Sequence, residues 1–142
     1  MERSWVDYID YYKIPSTLII PEGCKRIKYS TFWRCRGLKE VIIPESVKSI
    51  GREAFMGCRE LEKVVIPENV VDIGYASFSG CIGLKKISIP RSVEKIGDYA
   101  FVGCLNAEIT VRKPKEEFKY FGKDAFFRCK SVVEYVEEKT RN

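Results

Sequence analysis

Five of the six cysteines hold one repeating position: Cys35, Cys58, Cys81 and Cys104 at steps of 23 residues, then Cys129 after a step of 25. Thiols at fixed spacing could serve as disulfides, metal ligands or nucleophiles, and each use needs a partner. Histidine is absent, which removes imidazole bases, Cys-His and Ser-His nucleophile pairs, and most zinc ligand sets. No Cys-x-x-Cys pair occurs either. Neighbouring strands about 4.8 Å apart would bring the Cα atoms within disulfide reach, but the side chains would project the same way. The spacing therefore predicts a ladder of free thiols used as small buried hydrophobes, which suits a reducing compartment. Cys24 stands out of register, in the place of Val47, and is expected to be buried too.

A second group could do electrostatic work. Lys25, Arg26, Lys28, Arg34 and Arg36 occupy a stretch without a carboxylate, interleaved with Tyr29, Phe32 and Trp33. Phe32 falls on a core position. Trp33 does not: its equivalents, Met56, Ser79, Val102 and Phe127, vary in type, which predicts exposure. Cations beside an exposed aromatic fit nucleic acid, an acidic protein or an anionic surface; solvated charge on an edge is the plainer alternative. Arg34 and Arg128 also replace the glycine found at Gly57, Gly80 and Gly103. The carboxylates show no pattern that would converge two of them, and no glycine-rich phosphate loop is present. The expectation is a chain that is not an enzyme, without cofactor, metal or small-molecule substrate.

The elements that position these residues follow from one repeat. Ile50-Gly51-(x3)-Phe55-(x2)-Cys58 returns at Ile73 and Ile96, and prolines keep the same step at Pro21, Pro44, Pro67 and Pro90. Self-similarity at this period predicts a stacked solenoid. Alternating pairs (Val41 and Ile43, Val64 and Ile66, Ile87 and Ile89) predict one strand per coil in a parallel sheet, ended by the proline. Outward positions are then Ile19, Ile42, Val65, Ser88 and Thr110, beside Thr17, Glu40, Lys63, Lys86 and Glu108. The apolar strip Ile19, Ile42 and Val65, with Lys63 and Lys86, is a candidate binding patch. Each coil should turn at its glycine (Gly51, Gly74, Gly97, Gly122), where positive φ or close approach is needed. A short helical segment should follow and carry Phe55, Phe78, Phe101 and Phe126 into an aromatic column.

The fourth coil departs: Ile109 and Val111 lie one residue nearer their cysteine, and residues 112–117 read as a surface bulge before Phe118 and Phe121. The organisation predicted is an N-terminal helical cap over 1–16, a solenoid over 17–136 and a polar tail over 137–142. Ser4 and Asp7 would start the cap, with Trp5, Tyr8, Ile9 and Tyr12 on one face. The balance of 25 basic and 20 acidic residues is mild. Neither a secretory leader nor a spanning apolar run is evident. The expectation is a cytoplasmic or other reducing intracellular location, with the cell surface only for a fragment of a longer chain.

The unit Leu61-(x2)-Val64-x-Ile66-Pro67-(x2)-Val70-(x2)-Ile73-Gly74-(x2)-Ser77-Phe78-x-Gly80-Cys81 resembles the BspA-like class of leucine-rich repeats, from about Thr17 to Tyr135. The resemblance implies an α/β repeat: a right-handed solenoid of about five 23-residue coils, with a parallel sheet on one side and short helical turns on the other. It further implies binding and adhesion rather than catalysis, in a class that includes large surface proteins of bacteria and protozoa. A non-catalytic protein-binding module is thus the expected function. One alternative is a nucleic-acid or ribonucleoprotein binder using Lys25 to Arg36, for example a small mobile-element or phage-encoded inhibitor of a host enzyme. The other is a fragment of a surface adhesin.

Overall fold

The computed structural model describes residues 14–134. The expected cap over Ser4–Tyr12 lies outside them, as do Tyr135, Val136 and the polar tail. Each coil contributes two short strands: β1 (Thr17–Ile19) and β2 (Arg26–Ile27), β3 (Glu40–Ile42) and β4 (Ser49–Ile50), β5 (Lys63–Val64) and β6 (Asp72–Ile73), β7 (Lys86–Ile89) and β8 (Lys95–Ile96), β9 (Glu108–Val111) and β10 (Tyr120–Phe121), then β11 (Ser131–Glu134). All pairings are parallel. The result is a parallel β-solenoid of about five turns with three sides.

The first side is built from odd-numbered strands, as two three-stranded sheets, β1-β3-β5 and β7-β9-β11. The sheet expected here is therefore interrupted between β5 and β7. The second side is a continuous five-stranded sheet, β2-β4-β6-β8-β10, which the sequence pattern did not announce. Its strands are two residues long, too short for alternation to show.

The third side consists of turns, not the expected short helices. Among the described residues the only helical element is a 3-10 turn at Lys115–Glu117, so the α/β assignment does not hold. The reason is local. Glu53 (φ 56°), Ala76 (φ 49°) and Tyr99 (φ 57°) are left-handed two residues after each coil's glycine. One left-handed residue interrupts the run that a helix needs. Backbone N–H groups then donate to the next coil instead of inward along a helix: Phe32 to the Ala54 carbonyl, Phe55 to Ser77 and Phe78 to Ala100, each at 2.7 Å.

Between the sides lies one continuous core. Phe32, Phe55, Phe78 and Phe101 are fully buried and stack with ring centroids 5.0–5.1 Å apart; Phe126 continues the column at 5.5 Å. Each buried ring contributes roughly 2–3 kcal/mol by area. The altered fourth coil is as expected, with Phe118 buried in the place of Val47. Its bulge is largely exposed, although Lys113 is buried against the Phe118 ring.

Candidate functional site

The thiol ladder forms as expected. All six cysteines are free; Cys35, Cys58, Cys81 and Cys104 are buried, while Cys24 and Cys129 are half-buried. Cys24 is thus less enclosed than its place in the pattern implied, because it belongs to the first coil; its thiol donates to the Arg26 carbonyl at 3.3 Å. The ladder thiols also do something that hydrophobes cannot. Cys58 donates to the Phe32 carbonyl (3.0 Å), Cys81 to Phe55 (3.1 Å), Cys104 to Phe78 (3.0 Å) and Cys129 to Phe101 (3.2 Å). Each step ties a coil to the one before. Hydrogen bonding to the neighbouring thiol (Cys35 and Cys104 respectively), followed by burial, pushes the Cys58 and Cys129 thiols well above their ordinary range. Thiolate chemistry is suppressed at these two positions, while the hydrogen bond from Cys58 holds the Cys35 thiol below its ordinary range. Among the described residues no group of three His, Cys, Asp or Glu side chains could hold a metal.

The apolar strip is exposed as the alternation predicted. Ile19 is 68% exposed, Ile42 45% and Val65 66%. Pairing sets Ile19 directly beside Ile42 on β1 and β3, with Val65 following β5. Register also stacks Thr17, Glu40 and Lys63, and the Lys63 ammonium reaches the Glu40 carboxylate at 3.9 Å. Beyond the interruption, a shallow concavity is lined by Val65, Lys86, Ser88, Thr110 and Val133. It carries the strip onto the second sheet of this side.

The basic cluster does not stay together. β2 and its flanks place Lys25, Arg26 and Lys28 on the second side, all exposed. Arg34 and Arg36 come after the Phe32 turn, on the third side. There they line a concavity of ≈ 610 Å³ with Arg59 and Glu60. Arg59 escaped the sequence reading, although it stands one repeat step after Arg36. Trp33 is 48% exposed, and the Arg34 guanidinium sits over its ring at 4.6 Å.

No helix among the described residues is long and apolar enough to cross a membrane. Residues 8–133 match the model of the BspA type leucine rich repeat region, in six copies. No curated protein matches the chain. Among solved structures it is similar to a leucine-rich repeat protein from Bacteroides ovatus, with 33% identity and a TM-score of 0.71 over 82% of this chain and 33% of that one. The leucine-rich repeat protein of T. pallidum has 28% identity and a TM-score of 0.74, over 83% and 58%. A leucine rich cell surface protein from Faecalibacterium prausnitzii has 30% identity and a TM-score of 0.67, over 87% and 33%. The chain therefore spans about a third of the first and third of these and somewhat over half of the second. The repeat is matched over most of its length and its coils stack as the pattern requires: the chain belongs to the BspA-type leucine-rich repeat family.

Proposed function

We propose that this chain is a non-catalytic protein-binding module that recognises its partner through the first side of the solenoid. One observation carries the reading: exposed Ile19 and Ile42 stand side by side on an open, hydrogen-bonded sheet, with exposed Val65 just after β5 and Lys63 and Lys86 on the neighbouring strands. A rigid face of this kind loses little conformational freedom on binding, and a few desolvated aliphatic anchors can supply most of the affinity. The test is capture of partners from host lysate, with and without nuclease, at low and high salt. A stoichiometric protein retained under every condition, and lost with Ile42→Asp, is the expected result. Retention undiminished by Ile42→Asp would remove the strip from consideration.

Nucleic-acid binding through Lys25, Arg26, Lys28, Arg34 and Arg36 is the second reading. None of the five has a carboxylate partner within 4.0 Å among the described residues, which favours an anionic ligand. Their division between two sides weighs against one continuous strand track. Capture that vanishes with nuclease or salt would put this reading first. Six free thiols favour a reducing intracellular location; the name of the F. prausnitzii neighbour supports surface display as the rival.

A further inference from the structure

Several ion pairs on this solenoid join adjacent coils. Glu40 reaches Lys63 at 3.9 Å, Glu62 reaches Lys85 at 3.9 Å, Glu94 meets Lys119 at 2.8 Å and Glu108 reaches Lys130 at 3.9 Å. On the third side, cations of adjacent coils meet each other instead. Arg36 and Arg59 hold the same repeat position in consecutive coils, about 4.8 Å apart by strand spacing, and Arg34 lines the same concavity. Among the described residues none of the three has a carboxylate within 4.0 Å, Glu60 on the rim included. Like charges stacked in neighbouring coils are unfavourable unless an anion lies between them.

Two glycines line the floor of this concavity, beside Cys35 and Ile82. Gly57 and Gly80, both left-handed (φ 73°), stack one above the other, so that a Cβ on Gly80 would sit 3.9 Å from the Gly57 Cα. The Arg34 stem covers the first coil's end of the floor: its Cγ lies 2.9 Å from where a Gly57 Cβ would be. Its guanidinium is held by the Trp33 ring. A guanidinium pinned by stacking keeps its N–H edge pre-organised for a carboxylate.

We propose that this concavity binds an extended acidic peptide segment of a protein partner, with its backbone along the glycine floor and its carboxylates on Arg34, Arg36 and Arg59. The surface is separate from the apolar strip. A peptide fits better than a nucleic acid because the walls offer no aromatic platform for bases: the lining includes no aromatic ring, and Arg34 covers one face of the neighbouring Trp33.

Fluorescein-labelled hexaglutamate, titrated with the full chain and read by anisotropy, tests the site. Hexaglutamate should bind and hexaglutamine should not. Arg36→Gln/Arg59→Gln should weaken binding about tenfold or more, whereas Lys25→Gln/Lys28→Gln, removing equal charge from the second side, should change it less than about twofold. Both arginines are exposed, so matching thermal melts should accompany the loss. Gly80→Asn tolerates left-handed backbone and fills the floor, and should weaken binding as well. Equal losses in the two charge variants, unchanged affinity in Gly80→Asn, or no binding at about millimolar protein would overturn the proposal. Displacement of hexaglutamate by a lower concentration of oligothymidylate would overturn it in favour of nucleic acid.

Discussion

Asp98 accepts two hydrogen bonds across a coil boundary, from the Tyr120 hydroxyl at 2.5 Å and from the Lys123 backbone N–H at 2.8 Å. These bonds anchor the fifth coil just after the lengthened loop. The Tyr120 hydrogen bond, then that of the Lys123 N–H, hold the Asp98 carboxyl below its ordinary range. A carboxylate whose folded pKa is depressed contributes stability above its unfolded pKa and loses it as pH falls through the folded value. Thermal melts of the native chain should therefore lose stability as pH drops below about 4, and Asp98→Asn should flatten part of that fall. Glu116→Gln, at a carboxylate without an ion pair among the described residues, should leave it alone. An identical acid limb in Asp98→Asn would show that the clamp contributes nothing. The pairing could not be read from sequence, because the loop insertion shifts Tyr120 out of the regular step.

At the scale of the element, the turn that opens each third side depends on close approach. A Cβ on Gly74 would lie 2.7 Å from the Arg52 nitrogen and the Gly51 carbonyl carbon, backbone atoms that cannot move aside alone. Its φ is not left-handed, so space rather than conformation demands glycine here. Lys28 occupies the same position in the first coil, where no earlier described coil presses against it. Gly74→Ala should cost about 1–3 kcal/mol as an overpacking change, measured by urea denaturation; an unchanged midpoint would mean that the coils can separate freely. The sequence announced the glycine but not the turn it serves. The left-handed residues that follow, Glu53, Ala76 and Tyr99, are not types that advertise such a conformation, and coil-to-coil hydrogen bonding holds them in it. That is why a helix was expected and a ladder is present.

For the whole molecule, stability is a sum over coils and the contacts between neighbours. Phe78 is fully buried between Phe55 and Phe101, whereas Phe126 closes the described column half-buried. Phe78→Ala should cost about 3–5 kcal/mol and Phe126→Ala clearly less, in guanidinium melts followed by circular dichroism. Equal costs would contradict nearest-neighbour stacking. The sequence by itself determined the repeat, the phenylalanine and cysteine columns and the outward strip of Ile19, Ile42 and Val65. Those follow from a fixed period and from alternation within a few residues. Only the tertiary structure decided that a second sheet exists and that the third side is turns. It also parted Lys25, Arg26 and Lys28 from Arg34 and Arg36 and brought Arg59 to the latter pair over bare glycine. The physical reason is distance along the chain: these outcomes depend on contacts between residues a full coil or more apart, and local pattern carries no information about which side chains meet there.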